Sequence, residues 1–284
     1  MIQQRLGRVQ WGDLQFGPGN AYSVASIEGI DDLPGIRSQD LDKSDQHGDY
    51  TGPDYTAART VQITLNLLAA SPDELRALTL ALRRATQPQR QPAELQLLDW
   101  DIAVRGKVRK RALPYDAGNL WRAGSAAIEW YCADPYLYGL AEQSAATTAY
   151  SPAAGRTYPR TYPMTYGDSG AAGKLTANNG GDSPAYPLFR IDGPVASPSI
   201  EQTNVGGQLV FDTTLQPGEF LTVDTRSRAV LFMGTTPRRS WLRGGAVWPL
   251  FLPGDNEVTY RGAALPGAPG QTSLLTATWR DTSL

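Results

Sequence analysis

Apolar and polar residues alternate in short runs along most of the chain, and turn residues separate those runs. The clearest run is Arg59–Leu68, in which every second residue from Val61 to Leu67 is apolar, as in a strand with one buried face. Similar runs recur from Pro187 to Tyr260 between turn pairs such as Asp192-Gly193. This spacing is typical of antiparallel sandwiches and barrels.

Other runs extend the strand pattern through the first half of the chain. Leu14–Phe16 and Tyr22–Ile27 flank the turn Gly17-Pro18-Gly19, which predicts a hairpin. We predict further strands, the last two of them paired, at Leu95–Leu98, Ile102–Val108 and Ala126–Tyr131.

One segment has helical rather than strand periodicity. Ser71, Pro72 and Glu74 form a capping box with proline at the first helical position. An apolar stripe follows at helical spacing, at Leu75, Leu78, Leu82 and Ala85. We predict a helix over about 72–86, packed across a sheet.

These elements predict a mainly β protein with two domains. Residues 1–140 form an N-terminal β-sandwich or split-barrel-like domain with one α-helix, ending at the turn Ala133-Asp134-Pro135-Tyr136. Residues 141–183, rich in Ala, Ser, Thr, Gly and Tyr-Pro pairs, are interpreted as a linker or extended segment. Residues 184–284 form a C-terminal antiparallel β-sandwich.

The segment 31–58 departs from this pattern, because it is polar and turn-rich. Aspartates are spread through it, among them Asp40, Asp42, Asp45, Asp49 and Asp54. We interpret it as a long loop that is able to dock on a neighbour.

The composition of the chain argues against several classes of function. The 284 residues carry a net charge of −2 without a Lys/Arg-rich block, so there is no electrostatic signature of nucleic-acid or membrane-surface binding. The only cysteine, Cys132, excludes an intrachain disulfide. The start of the chain lacks an apolar signal segment, and no run reaches the roughly 20 apolar residues of a spanning helix. We therefore expect a soluble protein made in the cytoplasm, with no membrane partner.

One motif resembles a catalytic site. Gly167-Asp168-Ser169-Gly170 matches the nucleophile motif of chymotrypsin-like proteases, and His47 and Asp101 precede it in the order of that triad. However, His47 lies in a polar loop, Ser169 lies in a Gly/Ala-rich segment, and a helix separates His47 from Asp101. We expect no catalytic residue.

Metal and cofactor sites are also not expected. A single histidine and a single cysteine cannot form a zinc site, and the aspartates of 31–58 lack the register of a calcium loop. No glycine-rich phosphate loop is present. The remaining candidates are Trp241 and Trp248, aromatic residues of the second domain that are able to stack on sugars.

Several spaced segments together resemble siphophage distal tail proteins, in the form found in phages of actinobacteria, where such chains are also called minor tail proteins. In the C-terminal half these segments are NNGGDSPAYPLFRIDGPVASPSI, LVFDTTLQPGEFLTVDTRSRAVLF, SWLRGG, PGDNEV and TATWRD. The N-terminal half matches more loosely, through RTVQITLNL, the capped helix and ADPY.

The resemblance implies a structural role in the virion. Proteins of this family form a homo-hexameric ring at the tail tip, through an N-terminal β-sandwich domain with a helix. Their C-terminal galectin-like β-sandwich faces other baseplate or receptor-binding proteins. The ring joins the tail tube protein to the tail-tip hub protein, and DNA is present only in transit through the lumen. The family brings no catalytic residues, metal or cofactor.

Two other functions remain open on the residues alone. One is a carbohydrate-binding module that contacts host glycans through Trp241 and Trp248. The other is a serine hydrolase that uses Ser169.

Overall fold

The computed structural model describes residues 7–114, 123–150, 173–265 and 272–284. The chain divides into two compact units, Met1–Leu140 with Leu284, and Ala141–Ser283. Each unit has a hydrophobic core of its own. The predicted motif around Ser169 and the segment 158–166 lie outside the described residues.

The N-terminal unit consists of strands and one helix. In chain order these are β1 (Val9–Trp11), β2 (Leu14–Phe16), β3 (Tyr22–Glu28), β4 (Ile36–Arg37), β5 (Leu41–Asp42), β6 (Asp49–Tyr50), β7 (Tyr55–Thr56), β8 (Arg59–Leu68), α1 (Pro72–Ala85), β9 (Ala93–Leu97), β10 (Ile102–Ala112), β11 (Ala123–Cys132) and β12 (Leu137–Gly139).

Seven of these strands follow one another in the antiparallel order β2-β1-β9-β10-β11-β8-β3. Strand β10 changes partner along its length. Ile102–Gly106 pair with β9, and Lys107–Ala112 pair with β11. The pairing with β11 shifts in register between Val108 and Lys110. A bulge of this kind bends a strand so that it can serve two sheets. β10 therefore connects the strands on the β9 side of this order to those on the β11 side.

The two strands of the predicted hairpin, β2 and β3, form where the sequence predicts them, but they do not pair with each other. β2 pairs with β1, and β3 pairs with β8, so the two strands lie at opposite ends of the order. One backbone hydrogen bond, from the amide of Gly17 to the carbonyl of Tyr22 at 2.8 Å, spans the connection. Burial explains the difference, because Phe16 and Tyr22 both turn into the core, where their rings meet edge to face at 5.8 Å.

Helix α1 occupies the predicted segment and has the predicted cap. The Ser71 hydroxyl accepts a hydrogen bond from the Glu74 amide at 3.2 Å, and the Glu74 carboxylate accepts one from the Ala70 amide at 2.7 Å. The indole of Trp11 donates to the carbonyl of Ala85 at 3.0 Å, which fixes the end of the helix against the sheet.

Residues 31–58 form an arm rather than the predicted loop. Its base is the pair β4–β7, with Ile36 opposite Thr56, and its outer part is the pair β5–β6, with Leu41 opposite Tyr50. The sequence does not show these strands, because both faces of the arm are exposed and no apolar–polar alternation is needed.

The C-terminal unit is a two-sheet antiparallel sandwich. One sheet has the order β13-β23-β15-β19-β20-β21, and the other has the order β14-β22-β16-β17 with β18 also on β16. Its strands are β13 (Gln143–Thr148), β14 (Lys174–Asn179), β15 (Leu188–Asp192), β16 (Val195–Gln202), β17 (Gly207–Val210), β18 (Thr214–Leu215), β19 (Phe220–Asp224), β20 (Ala229–Phe232), β21 (Thr236–Pro237), β22 (Gly254–Ala263) and β23 (Leu274–Trp279), with a 3-10 turn at Arg239–Trp241. A last strand, β24 (Thr282–Ser283), belongs to neither of these two sheets.

Two of these strands, β13 and β14, lie within residues 141–183, for which the sequence predicts a linker or extended segment. β13 pairs with β23 and β14 pairs with β22 along their whole lengths. The buried residues of β14 are Leu175, Ala177 and Asn179, and β13 has no fully buried residue, so the sequence carries only a weak apolar–polar alternation there. The predicted fold class is confirmed: the protein is mainly β with antiparallel sheets, and the described residues contain one α-helix.

Candidate functional site

The residues that resemble a protease triad do not form a described site. His47 lies exposed in the turn between β5 and β6 of the arm. Asp101 lies in the turn before β10, also exposed. Ser169 lies outside the described residues. Within the described ranges, no group of three His, Cys, Asp or Glu side chains is placed to hold a metal ion.

The arm formed by residues 31–58 exposes large apolar side chains. Five of them are between 54% and 68% exposed: Leu33, Ile36, Leu41, Tyr50 and Tyr55. Apolar surface concentrated on one projecting segment marks an interaction site, whereas isolated exposed apolar residues do not. The structure thus favours the arm as a contact element.

A buried arginine fixes the base of the arm. The guanidinium of Arg59, 2% exposed, donates from Nη1 to the carbonyls of Gly29, Ile30 and Asp32, and from Nε to that of Pro135. Burial lowers the pKa of this guanidinium from its ordinary value. The arm therefore leaves the core from a rigid base.

A groove of about 440 Å³ lies on the N-terminal unit beside α1. Leu75 and Leu80 of the helix, Leu67 of β8 and Leu113 after β10 contribute apolar surface to it. Leu80 is 41% exposed, an unusual position for a leucine on a helix that already covers a sheet. The groove thus offers apolar side chains to a segment that would lie beside α1.

Charges on the arm and around the groove have opposite signs. Residues 31–58 contain seven aspartates against Arg37 and Lys43, which leaves five net negative charges. Arg76 and Arg83 line the groove. Opposite charge on two surfaces favours their encounter and their orientation.

The two tryptophans of the second unit have different surroundings. Trp241 is half-buried and packs edge to face against Phe232, with ring centroids 5.4 Å apart. Its backbone continues the packing, because its carbonyl accepts from the Asp212 amide at 2.8 Å. Trp248 is also half-buried but lines a surface cleft. Trp248, one of the two predicted glycan contacts, therefore borders a described cleft.

That cleft has a volume of about 250 Å³ and lies beside the turn between β19 and β20. Seven residues line it: Tyr186, Thr225, Arg226, Arg228, Trp248, Pro249 and Leu250. Arg226 lies over the ring of Tyr186 at 5.3 Å, and Arg239 lies over that of Trp248 at 5.5 Å. Two aromatic rings of the cleft, those of Tyr186 and Trp248, thus each lie against a guanidinium group.

Two buried amides hold the loop that forms the floor of this cleft. The side chain of Gln202 accepts from the Leu250 amide at 3.0 Å and donates to the Leu250 carbonyl at 2.7 Å. Gln202 also donates to Asn256, whose amide group donates to the carbonyls of Leu252 and Gly254. The sequence analysis missed these residues, although Gln202 follows Ile200 by two positions and so faces the same side of β16.

The segment Asn178-Asn179-Gly180-Gly181 has a comparable structural role. Asn179, 1% exposed, donates to the carbonyls of Ser183 and Phe251 and accepts from the amides of Gly181 and Thr282. The backbone of Thr282 lies so close to Gly181 that a Cβ there would lie 2.0 Å from its carbonyl oxygen. The residues NNGG, which begin one of the segments that resemble distal tail proteins, therefore have a role in folding here.

No helix among the described residues has the length and apolar character that a bilayer crossing requires.

Neither protein-family models nor curated protein sequences match this chain. Among solved structures, the crystal structure of the SPP1 Dit protein, described as a paradigm of the hub adsorption apparatus in phages that infect Gram-positive bacteria, matches with a TM-score of 0.66. The match has 12% sequence identity and covers 93% of this chain and 94% of that one.

Two structures of the phage P2 baseplate in its activated conformation also match. The form with calcium has a TM-score of 0.49 at 10% identity and covers 95% of this chain and 96% of that one. The form with strontium has a TM-score of 0.47 at 11% identity, with the same coverage.

The similarity to SPP1 Dit covers 93% of this chain and therefore extends over both units. It confirms, for the fold, the resemblance carried by ADPY and the C-terminal segments. This chain has the fold of the phage tail protein Dit.

Proposed function

We propose that this chain is a structural, non-enzymatic component of a phage virion, a distal tail protein at the tail tip. In this proposal six copies form a ring that joins the tail tube protein to the tail-tip hub, and DNA passes through its lumen. The C-terminal unit faces other baseplate or receptor-binding proteins. The full-length fold similarity to SPP1 Dit supports the proposal.

The exposed apolar surface of the arm is the observation that supports assembly into a ring. Its five exposed apolar side chains remain in contact with water in the single chain. Burying apolar surface contributes about 25 cal/mol per Å², so the arm gains from a partner that covers it. A rigid base at Arg59 limits the entropy lost when the arm docks.

The partner in this proposal is the groove beside α1 on the next copy. Arm and groove are different surfaces of the same unit, so their contact is heterologous and generates a ring when the rotation closes. The aspartates of the arm would then face Arg76 and Arg83. Because these charges are exposed, high salt would screen them and weaken assembly.

Electron microscopy and native mass spectrometry of the purified protein test the ring. We expect six-fold rings with the mass of six chains. A chain that stays monomeric at high concentration would contradict the proposal.

Disulfide trapping tests the interface separately. Two single variants, Leu41→Cys on the arm and Leu80→Cys in the groove, are mixed and oxidised. The native Cys132 is fully buried and its pKa is raised to about 11, so it does not compete as a thiolate. We expect the mixed disulfide between two chains.

The control replaces the groove variant by Met233→Cys, which is exposed on the C-terminal unit. We expect no comparable cross-link from that mixture. If six-fold rings form but the Leu41–Leu80 cross-link does not, the proposed ring stands and the proposed contact between arm and groove is wrong.

A further inference from the structure

We propose that a group of cations on β10 and at the end of α1 binds the phosphate backbone of double-stranded DNA. The group consists of Arg84, Arg90, Arg109 and Lys110, which we call the basic cluster. The inference rests on the proposed function for the identity of the polyanion, because DNA in transit is the polyanion that a tail ring meets. It names the residues of this chain that contact that DNA.

Strand β10 carries a basic block. Five of the seven residues from Arg105 to Arg111 are lysine or arginine, and none of the seven is acidic. The end of α1 and the loop that follows it are similar, because residues 83–92 contain three arginines, three glutamines and no aspartate or glutamate. The expectation that the chain lacks a Lys/Arg-rich block is therefore wrong at β10.

Two hydrogen-bonded contacts hold these two segments side by side. Nη1 of Arg111 donates to the carbonyls of Arg83 and Thr86, at 3.0 and 3.1 Å, where α1 ends. Nζ of Lys107 donates to the carbonyl of Arg90 at 2.6 Å. The side chains of Arg111 and Lys107 thus fix the loop against β10, and the basic cluster is gathered beside this contact.

Arg109 and Lys110 both lie on the outward face of the sheet. Lys110 is opposite Glu129 on β11, and the guanidinium of Arg109 lies over the ring of Tyr131 at 4.5 Å. Glu129 and Tyr131 are two residues apart on one strand and therefore share a face. Trp130 between them is fully buried, so that face is the one turned to solvent.

The charge of the basic cluster is not neutralised within the described part of the chain. All four side chains belong to exposed residues, and none of them forms a salt bridge with a carboxylate of the described ranges. Glu129 is opposite Lys110 but makes no salt bridge with it. Arg105, by contrast, pairs with Glu94 at 3.3 Å and is not counted in the cluster.

The surroundings of the cluster favour phosphate over an acidic protein as its partner. No large apolar side chain is exposed within residues 83–92 or 102–112, whereas a protein interface buries an apolar centre. Instead, Gln87, Gln89 and Gln91 are exposed beside the arginines. Arginine, lysine and glutamine side chains are the common donors to phosphate oxygens, and guanidinium groups bind these oxygens in pairs.

The form of the nucleic acid follows from the aromatic side chain on the same face. Single strands are held by rings on which unpaired bases stack. The ring of Tyr131 is occupied by the guanidinium of Arg109 instead. The cluster therefore offers contacts to a phosphate backbone without a stacking platform, which fits a duplex.

Fluorescence anisotropy of the full chain with a labelled DNA duplex of about 20 base pairs tests the inference. Contacts with about four phosphates predict that the affinity falls about 100-fold between about 50 and 200 mM salt. The comparators are the single strand of the same sequence, a polyglutamate of matched charge, and a peptide of residues 31–58, which is the acidic arm.

Two double variants remove cations from the two segments separately. Arg109→Ala with Lys110→Ala should weaken duplex binding at least about tenfold at about 50 mM salt and reduce the salt slope by about 2. Arg84→Ala with Arg90→Ala should have the same effect. All four residues are exposed, so the thermal midpoint of each variant should stay within a few degrees.

The matched control is Lys174→Ala with Arg243→Ala, which removes two exposed cations from the C-terminal unit and so changes the net charge equally. It should bind the duplex as the parent chain does. The inference is overturned if nothing binds at about 50 mM salt, or if the control loses as much affinity as the cluster variants. It is also overturned if polyglutamate or the arm peptide displaces the duplex at equal concentration, or if the single strand binds more tightly.

Native mass spectrometry of the same samples separates this inference from the proposed function. Six-chain rings that do not bind the duplex would leave the proposed function standing and overturn the DNA contact. A monomer that binds the duplex, and loses it in both cluster variants, would support the DNA contact even though the ring fails.

Discussion

The Nε of Arg59 donates a hydrogen bond of 2.8 Å to the carbonyl of Pro135, which joins the first residue of β8 to the turn before β12. The same guanidinium donates to Gly29 at 3.0 Å and to Asp32 at 2.9 Å, on the chain that leads into the arm. One buried side chain therefore connects the base of the arm to the ADPY turn, although 76 residues separate Arg59 from Pro135.

Replacing Arg59 by alanine should lower the free energy of unfolding by about 3 kcal/mol, because several buried carbonyls lose their donor. Chemical denaturation measures this change. Amide hydrogen exchange should also rise at 29–35, where the arm leaves the core. Arg37→Ala, at an exposed position on the arm, should change stability by less than about 0.5 kcal/mol. Similar losses in the two variants would contradict the role given to Arg59.

The arm should be needed for assembly but not for folding. The double variant Leu41→Ser and Tyr50→Ser removes exposed apolar surface, so the ring should dissociate while the thermal midpoint of the monomer stays within a few degrees. Sedimentation velocity measures the dissociation. Met233→Ser, on the other unit, should leave assembly unchanged. Intact rings in the double variant would exclude these two residues from the interface.

The buried Cys132 predicts a loss of stability in alkali. Burial raises the pKa of this thiol from 9.0 to about 11, so the folded chain keeps its proton where the unfolded chain releases it. Stability from this difference is fully present below pH 9 and declines between pH 9 and 11, by about 2 to 3 kcal/mol.

Denaturant titrations of the protein and of Cys132→Ala at pH 8 and pH 11 measure this effect. The variant should lose less stability between the two values. Burial also raises the pKa of Tyr260, to about 12, but this group is common to both proteins and cancels in the comparison. A parallel loss in the two proteins would contradict the assignment to Cys132.

Two glycines of the C-terminal unit should respond differently to alanine. At Gly181 a Cβ would meet the Thr282 carbonyl oxygen at 2.0 Å, so Gly181→Ala should cost more than about 2 kcal/mol through backbone displacement. At Gly244 no described atom lies within 4 Å of a Cβ, and alanine there should be neutral or slightly stabilising. Thermal unfolding of both variants compares them directly. Equal midpoints would show that the backbone near Thr282 moves aside for the added Cβ without loss of stability.

Gln202 should hold the floor of the cleft. Gln202→Leu keeps the volume but leaves the amide and carbonyl of Leu250 without their side-chain partners, which should cost about 2 kcal/mol. Urea denaturation measures the loss. Gln208→Leu is the control, because its amide donates to Glu201 at the exposed surface. Equal losses of stability in the two variants would contradict the role of the Gln202 side chain in holding Leu250.

Local sequence rules determined much of the N-terminal unit. The capping box at Ser71 and the alternation from Val61 to Leu67 predicted α1 and β8, because a helix cap and a one-sided strand each leave a periodic pattern. The same alternation places Arg59 on the buried face of β8, so the arginine inside the core was detectable from the sequence. Its four carbonyl partners were not, because they come from segments far apart in the chain.

The alternation, the turn pairs and the capped helix determined by themselves that the described part of this chain is mainly β with one helix. The tertiary structure alone decided which strands pair, that residues 31–58 form an exposed hairpin, and that Trp248 borders a cleft. The physical reason is that periodicity reports which face of an element is buried. Pairing, projection and cavities depend on which distant segments cover that face.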